Sequence, residues 1–506
     1  MSPTIDRPFL DDMVIPLGKT SHISGTGVPG HTMRVDVASQ SVQAQVADDG
    51  SWTVRLAPVF DDPGPCSLIV TDDVAGEECS IHDVRFGQVY LLGGQSNIEY
   101  RMRDDDGYED ALACMPQPWA VTYTVPQIDY VDSDGAAHPA DQAEGTWEPL
   151  TAETLGDVSA VGYHALQRLH QEHPDTVFAI VDCFKGGTSA TCWVPREKLD
   201  DQRLREAYVE PFDVAIAGKS EEDFNREERI YDESVERHNT ELSSFQEAHP
   251  ECSVSEAKDV VGHTPWPPPA RPTSPFRPCG LYETMFGTVS ALAFTAVVWY
   301  QGEDDTGHSN LYRILLERLI SSWREALGDA ALTFYVIQLP GYADGIDDSW
   351  AEVREAQLRV CEGDPHAFLV SIADTGEEHN IHPTSKKVAG TRLGTILGDE
   401  LEHGTPVVSD VHDRGRDVII DIRDSEGILA GETSTNAKGR GADGVWKPIS
   451  ILTETSSPQL VIERGVDCSA IRYGYENYPR LSIYDESGMP LAPFSLVRTQ
   501  GEWKLE

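Results

Sequence analysis

The sequence predicts an α/β protein in which a parallel sheet with helices on both faces is flanked by N- and C-terminal β-sandwich-like domains. Short alternating strands fill residues 1–86, and apolar strands alternate with helical segments over residues 87–404. Period-two alternation then returns over residues 405–506, which predicts a second β-domain. A chain of 506 residues is also too long for one core, so we expect two or three domains.

The N-terminal segment carries the pattern of half-exposed β-strands with turns between them. Apolar and polar residues alternate over 33–37, 42–46 and 52–56, and an Asp-Asp-Gly-Ser turn separates the last two stretches. This spacing predicts a small β-sandwich that ends near residue 86.

The central segment alternates buried strands with amphipathic helices. Ser159 is placed to cap a helix that runs to residue 173, and Gly328 is placed to end a helix over 311–327. A last helix is predicted over 386–403. Continuous apolar runs predict buried strands at 89–92, 176–183, 294–300, 332–337 and 367–372.

Residues 196–280 interrupt this alternation. A charged, weakly amphipathic helical stretch covers 221–249, and the proline-rich run at 264–272 suits neither a helix nor a central strand. We expect an inserted helical excursion with a proline-rich return. The sequence leaves open whether this insertion lies beside a functional site or is a solvated spacer.

Composition and charge exclude several classes of function. The chain has 85 acidic and 39 basic residues, and its formal charge of −46 argues against binding nucleic acid or an anionic membrane. No apolar run reaches the roughly 18 residues that a membrane span needs. The N-terminus lacks the basic-then-apolar pattern of a secretion signal, so we expect a cytoplasmic location, with a secreted form whose signal has been removed left open.

The nine cysteines are scattered and form no Cys-x-x-Cys pair, so the sequence predicts neither a zinc site nor a redox motif. Reduced thiols in a cytoplasm are the simplest account of them. We predict no cofactor, and the sequence does not indicate an oligomeric state.

Small or polar residues follow four of the predicted strands. Ser96 follows the first strand, Gly186 and Gly187 the second, Gln301 the third and His382 the fourth. Ligands bind at the carboxyl ends of the strands in an open parallel sheet. We therefore expect these five residues to line one crevice.

The chemistry of these residues is complementary. Ser96 offers a hydroxyl, and His382 offers an imidazole that can take its proton. The amide of Gly187 or Gly186 and the side-chain amide of Gln301 can donate to an oxyanion, and one such donor is worth on the order of 10²–10³ in rate. Taken singly, each is more often a turn, cap or loop residue. Together they indicate acyl transfer through a serine ester.

The four segments resemble those of the sialate O-acetylesterase family, within the SGNH-type (GDSL-like) carbohydrate esterases. The similarity spans nearly the whole chain, including both β-domains. The matching blocks are Gly-Gln-Ser-Asn-Ile-Glu at 94–99, Gly-Gly-Thr at 186–188 with Trp193, Trp-Tyr-Gln-Gly-Glu at 299–303, and Ile-His-Pro at 381–383 with Lys386.

The resemblance implies an SGNH-hydrolase, flavodoxin-like sheet and a serine esterase that removes O-acetyl groups from a carbohydrate. The substrate it implies is O-acetylated sialic acid, with another acetylated glycan such as xylan as the alternative. A non-catalytic carbohydrate-binding protein is the alternative of another class. The nucleophile, the base, the oxyanion donors and a supporting residue are implied to be Ser96, His382, Gly187 or Gly186 with Gln301, and Glu303.

The chain departs from the family at the residue that would orient His382. Many relatives carry Asp two residues before the histidine and SGNH esterases generally carry it three before, where this chain has Asn380 and His379. Either another acid turns inward, or a backbone carbonyl orients the imidazole in a Ser-His dyad, which should be slower. The candidate acids are Glu377, Glu378 and Asp374.

Other site chemistries fit the sequence less well. The block around Ser96 is not the Gly-x-Ser-x-Gly elbow of α/β-hydrolases. The histidines and glutamates of 377–382 lack the His-Glu-x-x-His pattern of a zinc site, so we predict no metal. Glu303, Asp304 and Asp305 are adjacent in a loop, and adjacent acids rarely face one another across a sugar ring, so we do not expect the carboxylate pair of a glycosidase.

Overall fold

The computed structural model describes residues 2–142, 144–399, 403–415, 417–425, 427, 434–454, 457–462 and 468–505. Three blocks of structure follow one another along the chain: strands, then strands alternating with helices, then strands again. Within the described ranges, no helix combines the length and apolar character that crossing a lipid bilayer requires.

The N-terminal block is built from short strands with alternating burial. Trp52, Val54 and Leu56 are buried while the residues between them are exposed, as period-two alternation predicts. The strands are β1 (Thr4–Ile5), β2 (Val14–Pro16), β3 (Ser21–Thr26), β4 (Thr32–Val37), β5 (Gln40–Gln45), β6 (Ser51–Leu56), β7 (Cys66–Asp72) and β8 (Glu78–Gly94). One antiparallel sheet has the order β1-β3-β6, and in the other β4 pairs with β5 and β7, and β7 pairs with β8.

The central block begins where β8 ends. Its first part contains α1 (Ser96–Glu99), α2 (Tyr108–Leu112), β9 (Gln117–Thr124), β10 (Tyr130–Val131), β11 (Ala137–His138), β12 (Trp147–Leu150), α3 (Ala160–Glu172) and β13 (Phe178–Phe184). The Ser159 hydroxyl accepts a hydrogen bond from the Gly162 amide at 3.2 Å, so Ser159 caps α3 as predicted.

The insertion is largely helical. It contains α4 (Gln202–Leu204), a π-helical turn (Arg205–Val209), α5 (Glu210–Ile216), α6 (Glu221–Ala248) and α7 (Val254–Val261). The prediction of a long charged helix is confirmed by α6, whereas α7 was not predicted. Residues 262–279, all of them described, form neither helix nor strand, as their prolines require.

The chain then returns to alternating strands and helices. These elements are α8 (Gly287–Val289), β14 (Ala296–Tyr300), α9 (Ser309–Leu327), β15 (Thr333–Ile337), α10 (Ser349–Gly363), β16 (Ala367–Val370) and α11 (Lys387–Gly398). Gly328 ends α9 in the left-handed conformation (φ 67°), as predicted. The prediction that the last helix reaches residue 403 is wrong, because Asp399 is already extended; residues 400–402 lie outside the described ranges.

Short helical turns complete the central block. The 3-10 turns are Met102–Asp104, Ala140–Gln142, Leu155–Asp157, Ala190–Trp193, Arg196–Leu199 and Glu303–His308, and a second π-helical turn is Tyr282–Phe286. Two of the 3-10 turns directly follow the ends of β13 and β14, at the edge where the predicted site residues lie.

Six central strands pair in parallel in the order β9-β13-β8-β14-β15-β16, and β12 pairs antiparallel with β9 at the edge. By their order in the chain these six strands read 2-3-1-4-5-6, so the first strand, β8, lies inside the sheet and the strand order reverses beside it, as in a doubly wound sheet. A Cβ on Gly162 of α3 would meet Leu92, while a Cβ on the adjacent Gly93 would meet Trp323 of α9. Successive residues of a strand point to opposite faces, so these helices cover opposite faces of the sheet.

One strand connects the first two blocks. β8 is 17 residues long; its first half pairs with β7, residues 85–87 pair with β2, and from residue 88 it lies between β13 and β14. The proposed domain boundary at 86/87 thus falls within a continuous strand. The position of Ser96 is thereby linked directly to the N-terminal β-structure.

The C-terminal block is one antiparallel sheet. Its strands are β17 (Val407–Arg414), β18 (Asp417–Arg423), β19 (Ser434–Arg440), β20 (Trp446–Thr453), β21 (Gln459–Ile462), β22 (Ala470–Tyr473), β23 (Phe494–Thr499) and β24 (Glu502–Leu505). They have the order β17-β18-β21-β20-β19-β22-β23-β24. The Trp503 indole donates to Asp413 across 3.4 Å, which brings the two outer strands together. The predicted α/β class with a C-terminal β-domain is confirmed.

Candidate active site

Ser96 lies at the carboxyl end of β8, where two glycines allow the strand to pack closely against its neighbours. A Cβ on Gly94 (φ 139°) would lie 2.0 Å from the Tyr300 carbonyl oxygen, and a Cβ on Gly93 would lie 2.8 Å from the Trp323 ring. Neither position has room for a side chain. Ser96 is then the first residue of α1 and is half-buried. The two glycines therefore bring a hydroxyl to the end of the sheet.

His382 lies beside Ser96. Its Nε2 is 2.7 Å from the serine Oγ. Burial, and after it the positive charges of Lys386 and Lys258, lower the pKa of His382 to about 3, so the ring is neutral above that pH. A neutral ring with its proton on Nδ1 accepts a hydrogen bond from the serine hydroxyl at Nε2. The pair has the geometry of a nucleophile and its general base.

No carboxylate among the described residues contacts Nδ1 of His382. Asp374, one of the predicted acids, forms two hydrogen bonds with the Arg392 guanidinium, at 2.6 and 2.8 Å. It also accepts a hydrogen bond from the Tyr484 hydroxyl at 3.1 Å, which links it to the C-terminal block. Asp374, one of the three candidate acids, is therefore not placed to orient the ring, because its carboxylate is used in a structural ion pair with Arg392.

The two glutamates before His382 do not orient its ring either. Glu377 accepts hydrogen bonds from the Thr384 amide at 2.7 Å and from the Asn380 side chain at 3.1 Å, so it closes the loop around the histidine. Glu378 is exposed, and its carbonyl accepts from the Ala343 amide at 2.8 Å. Of the alternatives left open by the sequence, the geometry favours a Ser-His dyad.

The turn after β13 lies directly against the nucleophile. A Cβ on Gly186 would be 3.5 Å from the Ser96 Cβ. The prediction of Gly186 as an oxyanion donor is corrected, because its amide donates to the Glu99 carboxylate, which also accepts from Gln127 at 2.7 Å. Gly187 follows with φ 68°, and its amide has no partner in the part of the chain that the structure describes. Gly187 is therefore the available donor of the pair.

Gln301 is completely buried, and the protein itself uses its side-chain amide. Its Nε2 lies 2.7 Å from Asp305 Oδ2, 3.1 Å from the Thr188 carbonyl oxygen and 3.2 Å from Gln95 Oε1. Its Oε1 accepts from the Tyr312 hydroxyl at 3.0 Å. Two N–H groups already face three acceptors, so none is left for an oxyanion. The structure corrects the prediction for Gln301, which instead joins three of the sequence blocks.

Glu303 supports the residue that follows the nucleophile. The Asn97 side chain donates to Glu303 at 2.6 Å and accepts from the Lys386 ammonium at 2.7 Å. Lys386 also donates to the Pro383 carbonyl at 2.8 Å, next to the histidine. Burial raises the pKa of Glu303 to about 7 and lowers that of Lys386 to about 7, and the attraction between them offsets part of both shifts. The sequence did not single out Asn97, the centre of this chain.

The insertion adds Trp266 to the site, which sequence reasoning also missed. A Cβ on Gly187 would lie 2.2 Å from its ring, so the ring covers this glycine. The indole nitrogen donates to Asp304 at 2.7 Å, and the ring meets Phe276 edge-on with centroids 5.2 Å apart. Trp266 is still 48% exposed. The available signal in the sequence was a tryptophan in the proline-rich run that precedes the Trp-Tyr-Gln-Gly-Glu motif at 299–303.

Comparisons with known proteins find similarity to carbohydrate esterases. Residues 276–402, which include Gln301 and His382, match the family model described as carbohydrate esterase, sialic acid-specific acetylesterase. The sialate O-acetylesterase of Mus musculus is 22% identical over 406 residues, covering 73% of this chain and 68% of that protein. The Rattus norvegicus enzyme is 22% identical over 534 residues, covering 94% and 90%. The chain is a sialate O-acetylesterase-like ester hydrolase.

A solved structure supports the fold of this esterase. A carbohydrate acetylesterase from Xanthomonas citri superposes with a TM-score of 0.72 at 21% sequence identity, covering 97% of this chain and 99% of that one. The alignment therefore includes both β-blocks as well as the central sheet. The family resemblance drawn from the four sequence blocks is confirmed.

Proposed function

We propose that this esterase removes O-acetyl groups from a carbohydrate through an acetyl-enzyme on Ser96. One observation carries the proposal: the Ser96 hydroxyl lies 2.7 Å from a neutral His382 imidazole, at the end of a parallel strand and beside the Gly186–Gly187 turn, whose Gly187 amide bonds to none of the described residues. This is the arrangement that nucleophilic acyl transfer requires. The position of Ser96 directly after β8, the first strand of a parallel sheet, supports an SGNH-type assignment.

In the proposed reaction Ser96 Oγ attacks the acetyl carbonyl while His382 Nε2 takes the hydroxyl proton. The Gly187 amide donates to the oxyanion, and so does the amide of Ser96, which donates to no described residue and begins α1. As the tetrahedral intermediate collapses, His382 returns its proton to the departing sugar oxygen. Water then attacks the acetyl-enzyme with His382 again as the base, which releases acetate and restores the serine.

The proposed substrate is O-acetylated sialic acid, because the matched family model and the curated relatives are sialate-specific by description. A second candidate, an acetylated neutral glycan such as xylan, is favoured by the surface next to the site. A cleft of about 390 Å³ adjoins Lys185 and carries Asp129, Glu227, Glu228 and Asp232. Lys185, Lys219 and Arg271 form ion pairs with Asp129, Glu227 and Glu228, so the cleft keeps a small net negative charge, which disfavours the carboxylate of a sialic acid relative to a neutral sugar.

The test compares acetate release from O-acetylated sialic acid and from acetylated xylan, by wild type and by Ser96→Ala. We expect the serine variant to lose activity by a factor of about 10³ or more on the preferred substrate. Circular dichroism and thermal unfolding show whether the variant stays folded. Equal rates for a folded Ser96→Ala protein would remove the acetyl-enzyme from the mechanism. A rate on xylan above that on the sialic acid would select the neutral glycan.

A further inference from the structure

The loop that carries His382 is held by a helix of the insertion. The ammonium of Lys258, on α7, donates to the Asn380 side-chain oxygen at 2.7 Å. One turn earlier, the hydroxyl of Ser255 accepts from the His379 amide at 2.8 Å. Two consecutive residues, two and three positions before the histidine, are thus bonded to α7. The insertion therefore contacts the loop that carries the catalytic base.

The Asn380 side chain in turn forms hydrogen bonds with both the amide and the carbonyl of His382. Its Oδ1 accepts from the His382 amide at 3.3 Å, and its Nδ2 donates to the His382 carbonyl at 2.6 Å. Nδ2 also donates to Glu377 at 3.1 Å. Lys258 fixes the orientation of this amide, because an ammonium can only donate and must face the oxygen. Every contact of the side chain then joins a donor to an acceptor.

This pattern explains why the chain has asparagine where many relatives have an acid. If residue 380 were aspartate, a carboxylate oxygen would face the His382 carbonyl and the Glu377 carboxylate, and both of these are acceptors. Asn380 is only 2% exposed, so water could not relieve the repulsion. An aspartate is incompatible with this loop, and asparagine positions the backbone of the base.

We infer that Lys258 and Asn380 are positioning residues that hold His382 against Ser96, and that the insertion is an integral part of the catalytic site. The inference rests on the proposed function of the Ser96–His382 pair. Both residues act on His382 through its loop and do not touch the reacting atoms. Lys258 is itself partly buried, which lowers its pKa, so its ammonium is partly shielded from solvent where it meets the Asn380 oxygen.

The charged groups around His382 determine how its titration responds to a change at Lys258. Lys386 and Lys258 both lower the pKa of His382, after burial, and Glu377 lies in the same loop. Removing the Lys258 charge therefore raises the pKa of His382. The acidic limb of kcat/KM, which reports the free enzyme, should move to higher pH. A purely structural role would leave this limb in place.

The experiment measures kcat, KM and the pH profile of p-nitrophenyl acetate hydrolysis for wild type, Lys258→Met and Lys258→Arg. We expect Lys258→Met to lower kcat about 10- to 100-fold with KM nearly unchanged and with the acidic limb shifted upward. Lys258→Arg should restore most of kcat, because a guanidinium can also donate to Asn380. The matched control is Lys198→Met, which removes an insertion lysine bonded to Glu325 of α9 at 2.7 Å, and it should behave as wild type.

Asn380→Asp is the second variant, and it remains informative if Lys258→Met fails to fold. We expect it to lower kcat although it supplies the carboxylate that relatives carry; an increase in kcat would overturn the inference. A folded Lys258→Met enzyme with the kcat and pH profile of Lys198→Met would overturn it as well.

A further readout separates this inference from the proposed function. If Ser96→Ala shows that hydrolysis does not depend on the serine, the proposed function fails, but the imidazole of His382 can still be titrated by nuclear magnetic resonance. In that case Lys258→Met should still raise the pKa of His382. An unchanged titration would overturn the positioning role independently of activity.

Discussion

The indole nitrogen of Trp266 donates to a carboxylate oxygen of Asp304 across 2.7 Å, which fastens the proline-rich return of the insertion to the residue after the third sequence block. Burial raises the pKa of Asp304 to about 7. The indole ring is thereby fixed over Gly187 while nearly half of it faces solvent. An anchored, partly exposed aromatic ring at the mouth of an esterase site suits contact with a sugar.

We expect Trp266→Ala to raise KM for an acetylated glycan about three- to tenfold, since an aromatic contact is worth about 0.5–1.5 kcal/mol. The KM for p-nitrophenyl acetate, which lacks the sugar, should change less. Trp266→Phe keeps a ring but loses the bond to Asp304 and should give an intermediate KM. Trp503→Ala, in the C-terminal sheet, is the control. An equal effect on both substrates would argue against a role in sugar binding.

Substitution of Gly187 tests the oxyanion turn. A methyl group there would strike the Trp266 ring at 2.2 Å and would be strained by φ 68°. We expect Gly187→Ala to lower kcat by about 10²-fold, the effect of losing one oxyanion donor. Adding Trp266→Ala should relieve the clash and recover part of the rate. Gly218→Ala, at φ 73° with nothing within 4 Å, isolates the backbone strain and should retain full kcat.

The chain from Glu303 through Asn97 to Lys386 should couple stability to activity. Lys386→Met leaves the buried Asn97 side-chain oxygen without its donor and removes a positive charge near the Glu303 carboxyl, and a buried polar group without its partner costs about 1–3 kcal/mol. The double variant Lys386→Met with Glu303→Gln should regain part of that free energy of unfolding. Urea denaturation of the two single variants and the double variant measures the coupling. Additive losses would show that the two side chains do not interact.

The pH profile of the wild type follows from the neutral His382 imidazole. Its pKa of about 3 lies below the ordinary value, so lowering the pH does not protonate the base until well below pH 6.5. We expect kcat/KM to stay level from about pH 7 down to about pH 5, where an unshifted histidine would already have lost most of its activity. Initial rates on p-nitrophenyl acetate in buffers of constant ionic strength measure this. A limb near pH 6.5 that persists in Glu303→Gln, which removes the neighbouring carboxyl with a pKa of about 7, would contradict the burial of the ring.

Asp374→Asn tests the corrected assignment of the acid. Asp374 holds Arg392 and Tyr484, so its loss should lower the free energy of unfolding by about 1–3 kcal/mol. The acidic limb of kcat/KM should not move, because no contact joins Asp374 to His382. Thermal unfolding and the pH profile together check both halves. A shifted limb at unchanged stability would restore Asp374 as the orienting acid.

Local sequence patterns predicted the elements whose hydrophobic period or cap was strong. The helix capped by Ser159 and the helix ended by Gly328 are present, as are the buried strands that end at the site. α10 was missed because it buries Arg354 and Gln357 together with its apolar residues, which obscures the helical period. α7 was missed because eight residues are too few for a clear period.

The sequence by itself determined which residues meet. Ser96 and His382 were identified because parallel strands end at one edge, and their side chains lie in hydrogen-bond contact. Only the tertiary structure decided which donors are free. Gly186 and Gln301 are the right residue types in the right blocks, yet Glu99 and Asp305 take up their N–H groups. Such occupancy depends on partners that are distant in the chain.

The same reason governs the orientation of His382. The sequence showed that the expected acid was absent, but not that the loop carrying His382 is bonded to α7, more than a hundred residues earlier in the chain. The contact between Lys258 and Asn380 has no local pattern, because a lysine on a charged helix looks like any solvated lysine until the fold buries it. Periodicity and strand-end chemistry are local properties, whereas the satisfaction of buried donors and acceptors is a property of the whole fold.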